Sequence, residues 1–252
     1  MTLGLSVCLI ARDEEVELGR CLESLVVADE VIVVVDARSR DGTEKLARDR
    51  ADRVEVRPYL GNIEQKQYCV TLARNDWVLI IDPDEVMSPG LAGELNRVLA
   101  SAPAELSGLE INRRTWHLGR WIRHGDFNPD WTLRVFRRSR ASWQGNNPHP
   151  RIVVDGRVGR LSEPLEHYSY RDLGDQVERI QAFSSESAQA LFERGRRARV
   201  RDLTLRPAAR FLRSYLLRRG FLDGVPGLVI AVATGFYVFL KYAKLWERQR
   251  RD

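Results

Sequence analysis

The sequence predicts an α/β fold, in which a mostly parallel sheet carries helices on its faces and is followed by C-terminal helices. Short apolar runs alternate with amphipathic stretches over residues 5–82, as in consecutive βαβ units. The run Val31–Val35 is unbroken and β-branched, as expected for a strand covered on both faces. The chain is 44% apolar and has only 18 Gly and 10 Pro in 252 residues, which excludes disordered and collagen-like proteins.

Strands and helices are predicted in alternation along the N-terminal part of the chain. The expected strands are Leu5–Ala11, Val31–Val35, Arg53–Arg57 and Trp77–Ile81. The expected helices are Glu15–Leu25, Thr43–Arg50, Asn62–Ala73 and Ser88–Ala100. The last of these helices begins with Ser-Pro-Gly, an N-cap followed by proline in the first turn. This order predicts a doubly wound layer structure.

The pattern changes after residue 107, where short strands alternate with loops rich in Trp, Arg, His, Asn and Pro up to about Tyr170. This stretch is too polar for a core, so we expect it at the rim of the sheet, where it would face a ligand. Residues 171–252 are predicted to be helical. The first helix, Asp172–Arg194, has one predicted buried stripe, which comprises Leu173, Val177, Ile180, Ser184, Ser187 and Leu191.

The cysteines and the N-terminus indicate a cytosolic protein. Cys8, Cys21 and Cys69 are odd in number and have no spacing typical of zinc sites or disulfide frameworks, so we expect them to be reduced and buried. No basic region precedes the short apolar run near the N-terminus, and charged residues follow it. This run is expected to be the first strand and not a signal peptide.

The C-terminal part of the chain is basic. Residues 194–252 hold 15 Lys and Arg against 4 Asp and Glu, a net charge of +11, which leaves −6 on residues 1–193. Nucleic acid and anionic lipid are the common partners of such segments. Leu203–Arg219 predicts a basic amphipathic helix, and Gly224–Leu240 then runs for 17 residues without a charge. This length, interrupted by Pro226 and glycines, favours an in-plane or re-entrant membrane anchor over a full span. A buried helical hairpin with solvated arginines is the alternative.

Two acidic turns follow predicted strands. Asp82, Asp84 and Glu85 come after the fourth strand, and Asp36 ends the second. Open α/β sheets bind ligands beyond the carboxyl ends of their strands, and clustered carboxylates there suit a divalent cation that also holds a diphosphate. The alternative is an acidic loop that caps the helix beginning near Ser88. The sequence contains neither the Gly-rich fingerprint of dinucleotide folds nor a P-loop.

Four motifs, in this order and spacing, resemble glycosyltransferase family 2, whose members use nucleotide-sugars and have the GT-A fold. Ala11–Glu15 resembles the A-R-N-E-E segment of that family, with Asp13 in place of Asn. Val35–Thr43 resembles V-D-S-G-S-T-D-G-T, and Gly61–Gln67 resembles G-x-x-x-Q-K-N. Asp82–Glu85 resembles the D-A-D-E metal motif. The resemblance extends over nearly the whole chain and implies a GT-A fold.

Later segments resemble a narrower branch, the bacterial lipopolysaccharide core β-glucosyltransferases and related cell-envelope transferases. These segments are Trp116–Gly125, Asn128–Arg138, His167–Tyr170 and Tyr237–Trp246. Like that branch, the chain lacks the Q-x-x-R-W motif of processive synthases. The resemblance implies a catalytic domain at residues 1–170, with a nucleotide-binding half at 1–107 and an acceptor side at 108–170. A helical, membrane-associating region would follow at 171–252.

The resemblance also implies roles for the charged residues. The expected nucleotide-binding residues are Arg12, Glu14, Asp36, Lys66 and Asp82, with Asp36 at the uracil or ribose. The implied cofactor is Mg²⁺ or Mn²⁺, and its expected ligands are Asp82, Asp84 and His167, with Asp84 preferred. Such a metal neutralises charge on the departing nucleoside diphosphate. The family turn has small or polar residues where this chain has Ala37, Arg38 and Arg40, which predicts an altered preference for base or sugar.

Asp130 is the candidate catalytic residue, because it aligns with the acidic residue at the acceptor side of the family. It would act as a general base on the acceptor hydroxyl, which gives inversion at the anomeric carbon. Alternatively, Asp130 caps a turn or pairs with Arg134. The candidate acceptor contacts are Trp116, Trp121, His149 and Arg151. Core packing explains the tryptophans nearly as well, and structural roles explain His149 and His167 at least as well.

The expected protein is a metal-dependent, inverting glycosyltransferase that moves a hexose from a UDP-sugar to a lipid-linked or lipopolysaccharide-type acceptor. We expect it at the cytoplasmic face of a bacterial inner membrane, as a peripheral or monotopic protein on anionic lipid, with no nucleic-acid partner. One alternative is a polyprenyl-phosphate sugar synthase, whose phosphate nucleophile needs less of a base. An alternative of another class is a non-catalytic basic adaptor for membranes or nucleic acid, against which the carboxylates at positions 36, 82, 84 and 130 argue.

Overall fold

The computed structural model describes residues 4–144 and 151–251. Its strands are β1 (Leu5–Ala11), β2 (Glu30–Asp36), β3 (Arg53–Arg57), β4 (Trp77–Ile80), β5 (Glu85–Val86), β6 (Leu106–His117), β7 (Arg120–Trp121), β8 (Trp131–Arg137), β9 (Ala141–Gln144), β10 (Arg151–Val154), β11 (Arg157–Arg160) and β12 (Leu165–His167). Its α-helices are α1 (Glu15–Ser24), α2 (Thr43–Arg50), α3 (Asn62–Thr71), α4 (Pro89–Ala100), α5 (Leu173–Glu193), α6 (Val200–Leu212) and α7 (Gly224–Arg248). The strands and helices predicted up to residue 100 are present, with ends within two residues of those expected.

The main sheet has the strand order β3-β2-β1-β4-β8-β6-β12-β5. Strands β3, β2, β1 and β4 are parallel, whereas β8 pairs antiparallel with both β4 and β6. Because β2 and β4 lie on opposite sides of β1, the chain changes its direction of progress across the sheet at β1. Ligands of open α/β sheets bind beyond the carboxyl ends of the strands at such a point. The turns after β1, β2 and β4 meet at this edge, which we call the carboxyl edge.

Two hydrophobic layers cover the two faces of the parallel strands. Alternate residues of a strand point to opposite faces, so Val7 and Leu9 face one layer and Cys8 faces the other. The first layer is completed by α1 and α4, and the second by α3. Burial of each large aliphatic side chain stabilises the fold by about 1.5–3 kcal/mol. The cysteines at positions 8, 21 and 69 are buried and free, as predicted.

The prediction that residues 108–170 are too polar for a core is wrong for β6 and β8. Leu109 and Ile111 of β6, and Val135 and Phe136 of β8, are almost completely buried. Both strands extend the main sheet beyond β4. The amino-acid sequence of this segment has a polar composition because charged residues alternate with these apolar ones. Arg134, for instance, is buried with carboxylate partners and not solvated.

The chain forms two compact units. The first takes in Met1–Arg113 and Trp131–His167, and the second takes in Arg114–Asp130 and Tyr168–Asp252. Residues 114–130 therefore group with the C-terminal helices, whereas the sequence pattern assigned them to the acceptor side of the catalytic domain. A catalytic domain that ends at residue 170 stays a prediction.

The second unit is built around α5, α6 and α7. The stripe predicted for α5 is wrong at its first turns, because Leu173 and Val177 are about half exposed. The buried line of α5 consists of Gln176, Ile180, Ser184 and Ala188. Gly235 of α7 lies against α6, where a side-chain carbon would stand 3.2 Å from the carbonyl oxygen of Pro207. The two helices are close because this position has no side chain.

Candidate active site

An acidic turn at the carboxyl edge brings together residues that are distant in the sequence. β4 ends at Ile80, and β5 begins at Glu85, so Asp82 and Asp84 lie in the turn between them. β5 pairs antiparallel with β12, and this register places His167 opposite Glu85. As a result, His167 Nε2 lies 3.5 Å from Asp84 Oδ2, and both side chains are largely buried.

Asp82 is held by cations from two other elements. Lys66 of α3 donates to one carboxylate oxygen at 2.6 Å, and Arg134 of β8 donates to the other at 2.9 Å. Burial alone would raise the pKa of the Asp82 carboxyl, but these two cations outweigh it and hold the pKa well below its ordinary value. Asp82 is therefore ionised throughout the neutral range, and it fixes the ammonium of Lys66 at this edge.

A buried ion cluster around Glu85 holds the acidic turn in place. Glu85 has no exposed surface, and its carboxylate contacts Arg134 and, at 3.4 Å, Arg113. The second oxygen of Glu85 accepts the backbone N–H of Asp82 at 2.9 Å. Burial would lower the pKa of Arg134, but the charges of Glu85 and Asp82 outweigh it and raise that pKa. This cluster could not be predicted from the sequence. The only available signal was an arginine inside the otherwise apolar run Leu133–Phe136.

Glu14 lies at the start of α1, beside the acidic turn. Its backbone N–H donates to Thr43 Oγ1 at 2.9 Å, which joins the turns after β1 and β2. Burial, together with the charges of Asp84 and Asp82, raises the pKa of the Glu14 carboxyl to about 7, against the lowering effect of a hydrogen bond from the Arg12 N–H. The carboxylates of Asp84 and Asp82 are thus close enough to Glu14 to disfavour its ionisation.

Replacement of Glu14 by glutamine is expected to stabilise the ligand-free protein more at pH 8 than at pH 5. The pKa of Glu14 is raised from 4.5 to about 7, so the fold favours the protonated carboxyl over the ionised one. The stability that this preference contributes is complete below pH 4.5 and is lost as the pH rises through 7, where the carboxyl ionises. Since Glu14 is only half-buried, solvent screening reduces the expected loss to about 1–2 kcal/mol. Urea unfolding at both pH values measures it, with Glu186→Gln on an exposed face of α5 as the control. An equal effect of Glu14→Gln at both pH values would contradict the prediction.

The carboxylate of Asp36, the predicted contact of the nucleoside, forms an ion pair with an arginine of the same turn. Arg38 binds both carboxylate oxygens, with Nη2 at 2.7 Å from Oδ2 and Nε at 3.1 Å from Oδ1. These hydrogen bonds lower the pKa of Asp36 against the effect of its burial. Arg12 lies 3.9 Å from the same carboxylate, and the Arg38 guanidinium lies over the Tyr59 ring at 5.4 Å. A nucleoside at Asp36 would therefore meet Arg38 first.

A divalent cation fits the carboxyl edge if a phosphate completes its coordination. Among residues 4–144 and 151–251, no group of three or more His, Cys, Asp and Glu side chains is arranged to hold a metal ion. Asp84 and His167 supply one carboxylate and one imidazole close together. Mg²⁺ commonly takes one or two protein carboxylates and fills its remaining positions with substrate phosphates and water. Asp82 is engaged by Lys66 and Arg134, so it suits the role of a support better than that of a ligand.

The remaining predicted site residues are distributed over both units. Asp130 is a half-buried residue of the second unit, where Trp116 and Trp121 pack edge to face at 5.1 Å between ring centroids. The same unit has a cavity of about 480 Å³, and Trp116 is among its lining residues. Arg151 begins β10 in the first unit and is exposed. His149 lies outside the described residues.

Comparisons with known proteins identify the family of the chain. The family model described as glycosyl transferase family 2 matches residues 6–167. The chain is 30% identical to the lipopolysaccharide core biosynthesis glycosyltransferase LpsC of Rhizobium meliloti, with 98% of this chain and 93% of that protein covered. It is 28% identical to the uncharacterized glycosyltransferase RC0292 of Rickettsia conorii, with 98% and 91% covered.

Among solved structures, glucosyl-3-phosphoglycerate synthase from Mycobacterium tuberculosis, in complex with Mn²⁺, uridine diphosphate and phosphoglyceric acid, is 22% identical with a TM-score of 0.37. That alignment covers 44% of this chain and 43% of that chain. The family model, and the relatives that align over nearly the whole chain, confirm the predicted enzyme class and the predicted GT-A fold class. The chain is a glycosyltransferase and belongs to glycosyl transferase family 2.

Proposed function

We propose that this enzyme transfers a hexose from a UDP-sugar to a lipid-linked or lipopolysaccharide-type acceptor, with inversion at the anomeric carbon and with Mg²⁺ or Mn²⁺. One observation carries the proposal. Asp84 of the acidic turn is paired with His167 of β12, and Asp82 of the same turn binds Lys66 of α3, at the carboxyl edge of the sheet. Metal-ligand chemistry and a fixed ammonium at one place suit a nucleoside diphosphate.

The donor site would use this charge arrangement. Asp84 and His167 would hold the metal, which, when bound, neutralises negative charge on the leaving nucleoside diphosphate. Lys66 and Arg12 would balance the remaining phosphate charge. Lys66 needs little reorganisation for this task, since Asp82 already holds its ammonium at 2.6 Å.

Asp130 would supply the base for the transfer. Its carboxylate would take the proton of an acceptor hydroxyl while that oxygen forms a bond to the anomeric carbon. The bond from the anomeric carbon to the β-phosphate oxygen breaks, and its electron pair leaves with the nucleoside diphosphate. Attack from the face opposite the leaving group converts an α-linked donor into a β-glycoside.

Replacement of Asp130 by asparagine is expected to lower kcat by a factor of about 10²–10⁴ and to leave the KM for the donor nearly unchanged. General-base catalysis contributes about this much, and the amide cannot accept the proton. Release of UDP in the presence of acceptor measures the effect, and Asp155→Asn in an exposed turn is the control. Near-normal turnover of Asp130→Asn would favour a polyprenyl-phosphate sugar synthase, whose ionised phosphate attacks without a base.

A relative supports the proposed acceptor, and the apolar surface of α7 supports the proposed location at a membrane. LpsC is described as a lipopolysaccharide core biosynthesis enzyme, and its likeness covers nearly the whole chain. Among the described residues, one helix, Gly220–Arg248, is long and apolar enough to cross a membrane. One face of α7 packs in the second unit through buried residues such as Ile230, Ala231 and Leu245. The opposite face exposes an apolar stripe made of Val225, Leu228, Val232, Phe236 and Phe239.

The combination of a packed face and an exposed apolar face on α7 favours an in-plane anchor at the cytoplasmic membrane surface. A helix that spans alone in lipid is apolar all round, whereas α7 combines an exposed apolar stripe with a face that is packed against protein. α6 adds Leu205 and Leu212, which are 67% and 49% exposed. The apolar side chains would enter the boundary of the bilayer, while the arginines of this region would contact anionic lipid.

Replacement of Val232 by glutamate is expected to weaken binding to vesicles that contain anionic lipid by about tenfold or more. The variant loses apolar contact and places a charge that anionic lipid repels, which together exceed about 1.4 kcal/mol. Cosedimentation with vesicles measures the effect. Val26→Glu is the matched control, because Val26 is 80% exposed in the first unit. Equal binding of both variants and the unsubstituted protein would exclude the stripe as the membrane contact.

The experiment that tests the proposed function is a donor screen with and without Mn²⁺. Release of UDP from a UDP-hexose is expected to depend on the metal, and mass spectrometry of membrane glycolipids is expected to show one added hexose. The absence of metal-dependent release of UDP from any UDP-hexose, in the presence of such glycolipids, would contradict the proposed donor and metal.

A further inference from the structure

Lys241 of α7 is a half-buried cation with no acidic partner among residues 4–144 and 151–251. Its ammonium contacts two aromatic rings and lies 5.4 Å from the centroid of Tyr237 and 5.1 Å from that of Tyr242. Such cation–π contacts contribute about 0.5–1 kcal/mol each at exposed sites, but they do not neutralise the charge. A desolvated ammonium without a counter-ion is costly, so this position is one at which an anion would be favourable.

The surroundings of Lys241 are positive. The guanidinium of Arg206 lies 5.1 Å from the same Tyr242 ring. Burial lowers the pKa of Lys241, and the charges of Arg206 and Arg210 lower it further. These two arginines have carboxylate partners of their own, Asp202 at 2.5 Å and Asp126 at 3.0 Å, so their positive charge is partly balanced. Lys241 has no such carboxylate partner in the part of the chain that the structure describes.

The position of Lys241 on α7 separates it from the apolar stripe. Lys241 follows Val232 by nine residues, which is two and a half helical turns and places it on the opposite side of the helix. The Tyr237 ring beside it is fixed by a hydrogen bond of 2.8 Å between its hydroxyl and Ser187 Oγ. The ammonium thus has a defined environment that differs from the surface expected to contact acyl chains.

We propose that Lys241, together with Arg206 and the Tyr242 ring, forms a binding site for a phosphate group in the helical unit. An ammonium acts as a compact point charge toward phosphate, and a guanidinium offers several N–H donors to its oxygens. The site consists of residues other than those at the carboxyl edge of the sheet. If the phosphate belongs to a glycolipid acceptor, this assignment rests on the proposed function, and the site would hold the acceptor through its charged group.

The test uses inorganic phosphate as the probe and the full chain with Lys66→Met, which removes the expected phosphate contact at the carboxyl edge. Phosphate is expected to raise the melting temperature relative to chloride at equal ionic strength. Addition of Lys241→Met is expected to weaken the apparent affinity for phosphate at least tenfold, whereas addition of the matched control Lys45→Met on the exposed surface of α2 is expected to leave it unchanged. An unchanged affinity in the Lys241→Met protein, with vesicle binding also unchanged, would overturn the proposal.

A second measurement identifies the source of the phosphate. Binding to phosphatidylcholine vesicles is compared with and without phosphatidic acid, for the unsubstituted protein and for Lys241→Met. A loss of the extra binding to phosphatidic acid assigns the site to a lipid headgroup. Unchanged vesicle binding, with weakened affinity for inorganic phosphate, assigns it to the phosphate of a soluble or glycan ligand. Neither measurement requires turnover, so failure of the proposed function and failure of this site are distinguishable.

Discussion

Replacement of Asp84 by alanine is expected to lower kcat/KM for the nucleotide-sugar about a thousandfold and to leave the fold intact. Asp84 is the carboxylate of the acidic turn that is paired with His167 and is not the residue that binds Lys66 and Arg134. A bound divalent cation contributes several kcal/mol of charge stabilisation, and about 4 kcal/mol corresponds to a factor of about 10³. The measurement is UDP release as a function of Mn²⁺ concentration.

The control for this prediction is Asp49→Ala, which removes an exposed carboxylate of the same type from α2. Circular dichroism and the melting temperature of both variants establish that the fold is retained. Full activity of Asp84→Ala at ordinary Mn²⁺ concentrations would remove Asp84 from the metal site. Activity that returns at high Mn²⁺ would support a ligand role, because a lost ligand weakens metal binding.

Replacement of Arg134 by methionine is expected to lower the free energy of unfolding by about 3–5 kcal/mol. Arg134 is 5% exposed and contacts both Glu85, which is fully buried, and Asp82. Methionine retains much of the side-chain length but leaves Arg113, at 3.4 Å, as the remaining cationic partner of Glu85 among the described residues. Removal of one partner from a buried ion pair typically costs this much, because the remaining charge is desolvated and poorly balanced. Urea unfolding at neutral pH measures the difference.

A double variant distinguishes this cause from a general packing defect. Glu85→Gln removes the buried negative charge, so the combination with Arg134→Met is expected to be less destabilised than the sum of the two single changes. The interaction energy between contacting groups in such cycles is about 0.5–3 kcal/mol. Additive effects would show that charge is not the reason. A Lys45→Met variant, in which an exposed cation of α2 is removed, is expected to be as stable as the unsubstituted chain.

Much of the active-site assignment follows from patterns that are local in the sequence. The apolar runs of β1, β2 and β4 are continuous and β-branched or aliphatic, so the strands, and therefore the location of the turns after them, could be predicted. Because parallel strands place their carboxyl ends at one edge, the placement of Asp36 and Asp84 at the same edge could be predicted from topology. His167 was placed there by resemblance alone, and in the structure the pairing of β5 with β12 brings it to Asp84.

Other features could not be predicted because they depend on partners far away in the sequence. The sequence by itself determined the α/β class, the family, the order of the first elements and the acidic turn, since each depends on hydrophobic periodicity or on residues within a few positions of one another. Only the tertiary structure decided that β6 and β8 are core strands and that Arg38 pairs with the carboxylate of Asp36. It also decided that Lys241 has no carboxylate partner among the described residues. The free energy of a buried charge depends on which side chains surround it in space, and a local pattern does not contain that information.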